Sequence, residues 1–353
     1  MPPRLFVSAG EPSGDLHGAP VVRALRERVP GVAIEALGGP RMREAGATVM
    51  YSMERYTAFG FVEAVGKLPR HLTLLRRLDR AFAAGRYQLA LLIDYPGFHL
   101  RVAESARRHG VPVLYYIAPQ LWAWRPGRAR RLAEAVSRLA TVLPFEPAFF
   151  ARHGIRAEYV GHPLLDRPPL PAPAEARRML GLGQADRVLG IFPGSRTQEI
   201  GRLWEPFREA ALRLMDEGRC DRVIVAGTAD GSYPGAERFL VHRGSPEPVF
   251  AAADAALAKS GTTTLEAALA DVPMVVAYQL HPATYWMARS LVKVPWISLV
   301  NLVAEAPVVD ELLQDAVRAD RLADVARALL DPGHPKTRAQ REGLRRVRER
   351  LGA

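Results

Sequence analysis

The sequence predicts an α/β protein with two Rossmann-like domains, each built on a doubly wound parallel sheet. Short apolar runs alternate with amphipathic segments along the chain, which is typical of strands joined by crossover helices. The chain has 353 residues, too many for one typical hydrophobic core. A proline-rich segment at residues 162–176 separates two such alternating series. These three observations carry the prediction.

The first series begins at the amino terminus. RLFVSAG (residues 4–10) predicts a buried strand, and residues 15–29 place apolar side chains near helical spacing. Strands and helices then alternate, which favours a parallel sheet. The predicted strands are residues 32–39, 89–95, 112–119, 139–145 and 157–163, with helices at 72–84 and 103–109.

The proline-rich segment predicts a domain boundary. Its five prolines stiffen the chain and deny it helix or sheet bonding. The second series starts with RVLGIFPGSR (187–196) and continues through a helix at 204–216, strands at 222–227, 239–244 and 255–261, a further helix, and PMVVAYQL (273–280). We expect domains at 1–166 and 174–330, facing each other across a cleft. A basic helix is expected within 331–353.

Composition bounds the partners. The formal charge of +11 fits an acidic partner such as nucleic acid, anionic lipid or a phosphorylated substrate, or it reflects an arginine-rich composition alone. No apolar run reaches the roughly 18 residues of a membrane span. A single cysteine, Cys220, excludes an intrachain disulfide. These features favour the cytoplasm.

The segment LLIDYPGFH (residues 91–99) contains the first candidate for catalysis. An apolar run ends at Asp94, and a turn containing a proline follows. Open α/β sheets bind ligands at the carboxyl ends of their strands. A carboxylate placed there is suited to act as a general base, or it caps the next helix.

Three turns between a strand and a helix predict anion binding, because helix N-termini attract phosphate. Each of them also has a purely structural interpretation as an ordinary turn. GEPSGD (10–15) contributes Ser13, and FPGSR (192–196) contributes Ser195 and Arg196. SGTTTLE (260–266) offers first-turn amides at Gly261, Thr262 and Thr263, with Glu266 as an acceptor for ribose hydroxyls. No GxGxxG fingerprint and no metal-ligand spacing is present in the sequence.

Residues 57–78 combine apolar and basic side chains. Lys67, Arg70, Arg76 and Arg77 flank the apolar positions, and such a surface suits contact with an anionic membrane. A core-facing helix with a basic solvated face is the alternative. The predicted membrane-facing or acyl-facing residues are Phe59, Phe61, Val62, Val65 and Leu68.

These motifs together resemble the lipid-A-disaccharide synthases, inverting glycosyltransferases of lipid A biosynthesis. The likeness is carried in order by GEPSGD, GGPRM (38–42), GFVEAVGKL (60–68), IDYPGFH (93–99), YYIAPQLWAWR (115–125), LPFEPAFF (143–150), YVGHPLLD (159–166), FPGSR, SGTTTLE, PMVVAY and SLVNL (298–302). The family pattern IDxPDFN is IDYPGFH here. Gly97 and His99 therefore stand where the family has an acid and an asparagine.

The resemblance implies a GT-B architecture whose C-terminal helix crosses back to the first domain. It implies a UDP-2,3-diacylglucosamine donor, a 2,3-diacylglucosamine 1-phosphate (lipid X) acceptor, and no metal or other cofactor. Asp94 matches the family's catalytic aspartate, and Arg196 its diphosphate-binding arginine. Asn301 lies in the motif that carries an asparagine near the nucleotide. Domain closure would bring Asp94 to the donor and exclude water.

Two further hypotheses remain open. One is another GT-B enzyme, either a transferase to a different lipid acceptor or a UDP-sugar epimerase. The other is a binder of nucleic acid or anionic surfaces that uses the basic tail and the cluster of Trp122, Trp124 and Arg125. The resemblance favours lipid-A-disaccharide synthase activity over both of these hypotheses. It implies an enzyme peripherally bound to the inner face of the cytoplasmic membrane, without a nucleic-acid partner. Its oligomeric state is open, a homodimer included.

Overall fold

A computed structural model describes residues 2–56, 61–124, 126–281, 285 and 294–353, without the side chains of 61–66, 124 and 126. The chain divides into two units, Met1–Pro163 and Leu164–Ala353. This division falls inside the predicted proline-rich boundary. Each unit contains one parallel sheet.

The first unit has a seven-stranded sheet in the order β3-β2-β1-β4-β5-β6-β7. Its strands are β1 Arg4–Ala9, β2 Ala33–Gly38, β3 Thr48–Ser52, β4 Leu89–Ile93, β5 Val113–Tyr116, β6 Arg138–Thr141 and β7 Ala157–Tyr159. Its helices are α1 Pro12–Arg28, α2 Pro40–Glu44, α3 Phe61–Ala83, α4 Pro96–Arg108, α5 Leu121–Trp124, α6 Ala129–Ala135 and α7 Glu146–Ala151.

Helices cover both faces of this sheet. On one face, Leu74 of α3 and Val102 of α4 pack with Phe6 of the central strand β1. On the other face, Val22 of α1 packs with Val7 of the same strand. Successive strand residues point to opposite faces. A strand covered on both sides must therefore be mostly apolar, as β4 is throughout and β1 is apart from Arg4 and Ser8.

The second unit has a six-stranded sheet in the order β10-β9-β8-β11-β12-β13. Its strands are β8 Val188–Phe192, β9 Arg222–Ala226, β10 Leu240–His242, β11 Ala255–Lys259, β12 Met274–Tyr278 and β13 Asp310–Leu313. Its helices are α8 Pro173–Met179, α9 Thr197–Asp216, α10 Glu247–Ala252, α11 Thr262–Leu269, α12 Leu299–Ala304, α13 Ala319–Leu329 and α14 Pro335–Leu351.

The predicted C-terminal helix is α14, and it packs on α11, α12 and α13 of its own unit. Gln340 of α14 is buried, and its side-chain oxygen accepts a hydrogen bond from the Met274 amide at 2.5 Å. Arg341 and Arg348 both pair with Asp271. These contacts attach the helix to the second sheet. Its crossing to the first domain stays a prediction.

Several sequence predictions about elements are wrong. The proline-rich segment is not free of helix, because α8 begins at Pro173 and a short 3-10 turn spans Pro163–Asp166. Proline fits the first helical position, where its missing N–H has no intrahelical partner. Helix α9 begins at Thr197 rather than at residue 204. The strand predicted at 157–163 ends at Tyr159.

Candidate functional site

The first group of candidate residues lies at the carboxyl ends of β1 and β4. β1 lies between β2 and β4, so the chain leaves its central strand to one side and later returns on the other. Open α/β sheets bind ligands at such a switch point. Ala9 pairs with Ile93, and the next residues are Gly10 and Asp94. The fold therefore places the GEPSGD turn beside Asp94.

Asp94 is a half-buried carboxyl in a left-handed turn. Its φ is 50°, and that of Tyr95 is 51°, a conformation that non-glycine residues rarely adopt. Burial and the negative charge of Glu11 raise the pKa of Asp94 to about 6, although the Tyr95 amide opposes this rise. Such a carboxyl is mostly ionised at neutral pH and more basic than an ordinary aspartate. It is suited to take a proton from an attacking hydroxyl.

The first glycine of the GEPSGD turn, Gly10, leaves room for the ring of Tyr95. A Cβ on Gly10 would lie 2.2 Å from a ring carbon of Tyr95, so any side chain there would displace the ring. Sequence reasoning singled out neither Gly10 nor Glu11 for a function. Their position directly after a central strand is the signal that could have found them.

The polar residues of this turn have different roles. Ser13 lies exposed in the first turn of α1, and no side chain caps that helix. Asp15 is buried, and its carboxylate accepts hydrogen bonds from the amides of Gly39, Arg41 and Met42 at 2.8, 3.1 and 3.2 Å. Asp15 therefore caps α2. The role of Ser13 in substrate binding stays a prediction.

The two departures from the family pattern differ in their surroundings. Gly97 is exposed, and a Cβ there would meet no atom within 4 Å, so the position has room for a side chain. His99 is fully buried, and its Nδ1 lies 2.7 Å from the carbonyl oxygen of Asp94. His99 is thus a structural neighbour of the candidate base, as its place in the motif predicted, and the structure adds its bond to the Asp94 carbonyl.

The second unit has its own switch point between β8 and β11. The FPGSR loop connects β8 to α9, and Ser260 and Gly261 connect β11 to α11. The side chain of Arg196 is 79% exposed, and Ser195 is also exposed. Because parallel strands direct their carboxyl ends to one edge, the fold brings both predicted phosphate loops to the same edge of this sheet.

Glu199 occupies the bend of the FPGSR loop. Its carboxylate accepts hydrogen bonds from the amides of Ser195 and Arg196 at 3.3 and 3.4 Å. Gly194 has a φ of 108°, and a Cβ there would lie 2.6 Å from a Glu199 oxygen. The side chain of Glu199 therefore holds the loop closed from within.

Lys259 is a cation at this edge that sequence reasoning missed. Its Nζ lies 2.9 Å from Glu199 Oε1, and the guanidinium of Arg196 approaches the same oxygen at 3.7 Å. The ammonium would also lie 3.3 Å from a Cβ on Gly261. Lys259 thus stands between the two loops. Its place as the last residue of a central strand, directly before SGTTTLE, was the available signal.

Thr262 is exposed and Thr263 half-buried at the start of α11. Glu266 lies one turn further on, and its Oε1 accepts a hydrogen bond from Arg167 at 2.6 Å. Burial raises the pKa of Glu266, while Arg167 counteracts this rise. One Glu266 oxygen is therefore engaged by Arg167 from the proline-rich segment. A ribose hydroxyl would have to share that oxygen or use the second one.

The structure gives Asn301 a different environment from the phosphate loops. Its side chain is buried, and its oxygen accepts from the amides of Val308 and Val309 at 2.8 and 2.9 Å. Its amide donates to the Val309 carbonyl at 2.9 Å and to Glu311 at 2.8 Å. These four bonds use the full capacity of the side chain. Direct contact with a nucleotide, as predicted, would require breaking one of them.

Replacing Asn301 by Ala is expected to destabilise the protein by about 3 kcal/mol, because buried amides and a carboxylate lose their partners. Urea denaturation followed by circular dichroism measures this loss. The bonds of Asn301 also reach Glu311, which accepts from the amides of Ile297 and Ser298. If the variant instead keeps its stability and loses UDP affinity, Asn301 is a direct ligand.

Trp122 packs within the first unit rather than standing on a nucleic-acid surface. Its indole N–H donates to Glu146 at 3.0 Å, and its ring lies against Phe145 at 5.0 Å. Burial raises the pKa of Glu146 to about 7, although this bond and two backbone bonds lower it. The side chain of Trp124 and all of Arg125 lie outside the described residues.

Helix α3 presents two different faces. Leu74 and Leu78 are 1% exposed and belong to the core. Leu68 and Leu72 are 46% and 38% exposed, and Arg70, Arg76 and Arg77 are also exposed. Phe59 lies outside the described residues, as do the side chains of Phe61, Val62 and Val65. Across the ranges that the structure describes, no helix is long and apolar enough to cross a membrane.

The structure thus brings the predicted residues together in two groups. Asp94 and Ser13 lie at the switch point of the first unit, and Arg196, Ser195 and the α11 residues at that of the second. Asn301 is bonded to the segment leading into β13 instead. Among the described residues, no three His, Cys, Asp or Glu side chains are grouped so as to hold a metal ion.

Comparisons with known proteins agree with this geometry. Residues 5–351 match the model of a family described as lipid-A-disaccharide synthetase. The lipid-A-disaccharide synthase of Anaeromyxobacter dehalogenans strain 2CP-1 is 42% identical over 360 residues, which cover 99% of this chain and 93% of that protein.

Solved structures with the same fold are more distant in sequence. The glycotransferase of kitacinnamycin has a TM-score of 0.65 at 18% identity, covering 100% of this chain and 95% of that one. MurG of Acinetobacter baumannii has a TM-score of 0.60 at 13% identity, covering 99% and 95%. These likenesses confirm the predicted GT-B fold class. The family match over nearly the whole length goes further: this chain belongs to the lipid-A-disaccharide synthetase family.

Proposed function

We propose that this protein transfers 2,3-diacylglucosamine from its UDP derivative to the 6-hydroxyl of 2,3-diacylglucosamine 1-phosphate. A bond forms between the acceptor oxygen and the anomeric carbon, and the bond from that carbon to UDP breaks. The products are UDP and a β-1,6-linked disaccharide 1-phosphate, formed with inversion. Family membership supports the reaction. The observation that carries the mechanism is the basic carboxyl of Asp94 at a switch point.

Asp94 takes the proton of the attacking hydroxyl in this proposal. A sugar hydroxyl is a weak nucleophile until its proton begins to leave, and a positioned base contributes about 10²–10⁴-fold to such a step. The charge of Glu11 supports the role, because it makes protonation of Asp94 more favourable.

The second unit holds the donor. The diphosphate of the donor is already negatively charged, and one further negative charge develops on it as UDP departs. Positive groups near this charge stabilise the transition state. We assign this role to Arg196, Lys259 and the first amides of α11, with Ser195, Thr262 and Thr263 completing the loops. Glu266 is assigned to the ribose hydroxyls. The exposure of Arg196 leaves its guanidinium available for two oxygens of a phosphate.

Both substrates carry acyl chains, so the enzyme must meet them at a bilayer. We assign the exposed leucines of α3, with their basic neighbours, to the inner surface of the cytoplasmic membrane. Apolar side chains insert among the lipids, and arginines attract anionic headgroups. The exposure of Leu68 and Leu72 beside Arg76 supports this surface.

Replacing Leu68 and Leu72 together by Glu is expected to weaken binding to phosphatidylglycerol vesicles at least tenfold, because two apolar contacts are lost and two negative charges are gained. Co-sedimentation with the vesicles measures the change. Met179→Glu is the matched control, since Met179 is 63% exposed on α8. Equal binding of both variants would show that α3 is not the contact surface.

The function is tested by incubating the protein with UDP-2,3-diacylglucosamine and 2,3-diacylglucosamine 1-phosphate, without added metal. Mass spectrometry should detect the disaccharide 1-phosphate, and UDP should appear in equal amount. Parallel incubations replace the acceptor by 2,3-diacylglucosamine without the 1-phosphate, or by another lipid-linked sugar, and so test acceptor choice. UDP binding without any disaccharide would reject the proposal, and formation of an epimerised UDP-sugar would replace it.

A further inference from the structure

The backbone carbonyl of Asp94 accepts two hydrogen bonds from buried side chains. His99 Nδ1 lies 2.7 Å from this oxygen, and the hydroxyl of Tyr115 lies 2.6 Å from it. His99 comes from α4 and Tyr115 from β5, and both are 0% exposed. A carbonyl oxygen has two lone pairs. The two donors therefore saturate it.

The hydrogen-bond network assigns the protonation state of His99. A carbonyl only accepts, so Nδ1 must carry a proton. Burial lowers the pKa of His99 to about 4, so the ring is neutral and Nε2 is an acceptor. Nε2 lies 2.7 Å from the hydroxyl of Ser8, which is also buried in β1. A chain of donors thus runs from Ser8 through His99 to the carbonyl of Asp94.

The backbone that these groups hold is strained. Asp94 and Tyr95 are consecutive non-glycine residues with positive φ, and each such residue costs on the order of 1 kcal/mol or more. A strained turn persists only when its surroundings over-determine it. Here the restraint comes from three elements, because Ser8 lies on β1, His99 on α4 and Tyr115 on β5.

We propose that His99 and Tyr115 are positioning residues for Asp94: they lock the turn between β4 and α4 so that the carboxylate stays at the switch point. The inference rests on the proposed role of Asp94 as the base. Neither side chain contacts the reacting atoms, since both bond to the backbone. His99 thus supplies an N–H donor to the Asp94 carbonyl from the position where the family pattern has an asparagine.

Four titratable groups lie near Asp94 on the elements that pack against its turn. They are Glu11 before α1, Tyr95, His99 and Tyr115. Burial keeps His99 neutral and raises the pKa of both tyrosines, Tyr95 to about 12. Glu11 acts on Asp94 through its negative charge, which raises the pKa of the Asp94 carboxyl. Release of the turn would expose the carboxylate to water and lower the pKa of Asp94.

Three variants test the lock. Tyr115→Phe removes one hydroxyl, His99→Leu removes the donor to Asp94 and the acceptor for Ser8, and His99→Asn restores an N–H near the position of Nδ1. We expect kcat to fall about tenfold in Tyr115→Phe and about 100-fold in His99→Leu, because small displacements of a catalytic group are costly. In Tyr115→Phe and His99→Leu, the acidic limb of the pH profile of kcat should shift to lower pH by about one unit. His99→Asn should stay within about threefold of the wild type.

A second measurement needs no turnover. The pH dependence of unfolding, compared between each variant and the same variant carrying Asp94→Asn, gives the pKa of Asp94. The lock predicts a lower value in Tyr115→Phe and His99→Leu. The proposal would be overturned if the pKa of Asp94 and the acidic limb of the kcat profile stay unchanged and kcat is kept, or lost to the same extent, in all three variants. Full activity of Asp94→Asn would instead overturn the proposed base and leave the measured pKa as an independent result on the turn.

Discussion

Replacing Asp94 by Asn is expected to lower kcat about 10²–10⁴-fold, the usual contribution of a general base. An amide has the shape of the carboxylate but cannot take the proton of the acceptor hydroxyl. Affinity for UDP should not change, because the donor residues belong to the second unit. Initial rates with radiolabelled donor, and calorimetric titration with UDP, separate the two effects.

The same variant is expected to be more stable than the wild type at pH 7.5. The pKa of Asp94 is raised from 3.8 to about 6 in the folded protein, so the folded state binds this proton more tightly than the unfolded state. Stability from this group is therefore present below pH 4 and is lost as the pH rises through 6. A rise of two pKa units corresponds to about 3 kcal/mol as an upper limit. Asn never ionises and escapes this loss.

Asp221→Asn is a control of opposite sign. The bonds from Arg187 lower the pKa of Asp221 to about 2, so this carboxylate contributes stability above pH 4 and loses it as the pH falls through 2. Its replacement should destabilise the protein slightly at pH 7.5 and leave kcat unchanged. Urea titrations at pH 4 and pH 7.5 distinguish the two variants. An active or destabilised Asp94→Asn protein would contradict the assignment.

Replacing Arg196 by Met is expected to reduce kcat/KM for the donor about 10²–10³-fold, as the loss of one transition-state donor does elsewhere. The exposed guanidinium has one weak partner within the described structure, Glu199 at 3.7 Å, so its removal should leave the fold intact. Arg196→Lys keeps the charge but loses the planar pair of donors, and should give an intermediate rate.

Arg213→Met is the matched control, because Arg213 is exposed on the same helix α9. Its kcat/KM should equal that of the wild type. UDP affinity is then compared with kcat/KM. A loss of kcat/KM without a loss of UDP affinity shows that Arg196 stabilises the transition state, and an equal loss in both shows that it contributes to ground-state binding. A rate within twofold of the wild type would remove Arg196 from the donor site.

The sequence predicts the fold well because buried parallel strands are apolar on both faces. β1, β4, β8 and β11 are largely apolar, with Arg4, Ser8 and Lys259 as exceptions, and each ends close to where its apolar run stops. The weak elements are the edge strands β3 and β13, which are only half-buried in most of their residues. Partial burial leaves no continuous apolar run. Their pairing depends on the neighbouring strand rather than on their own pattern.

The candidate site was predictable to the extent that it follows strands. Asp94 and Arg196 directly follow or lie close to central strands, so position and residue type together revealed them. Bonds between distant residues were not predictable. The contact of Arg167 with Glu266 joins positions 99 residues apart, and that of Ser8 with His99 joins positions 91 apart. The periodicity of apolar residues along the chain does not predict such pairs, because tertiary packing determines them.

The carboxylate of Glu199 has a consequence for small anions. It is a covalently attached anion that already fills the amides of Ser195 and Arg196 and neutralises Lys259. A tethered group competes as if present at a very high concentration. A free phosphate ion at cellular concentration is thus a poor competitor for these two amides. A ligand must bring additional binding energy from the rest of its structure, as a nucleotide does, before it can compete for this loop.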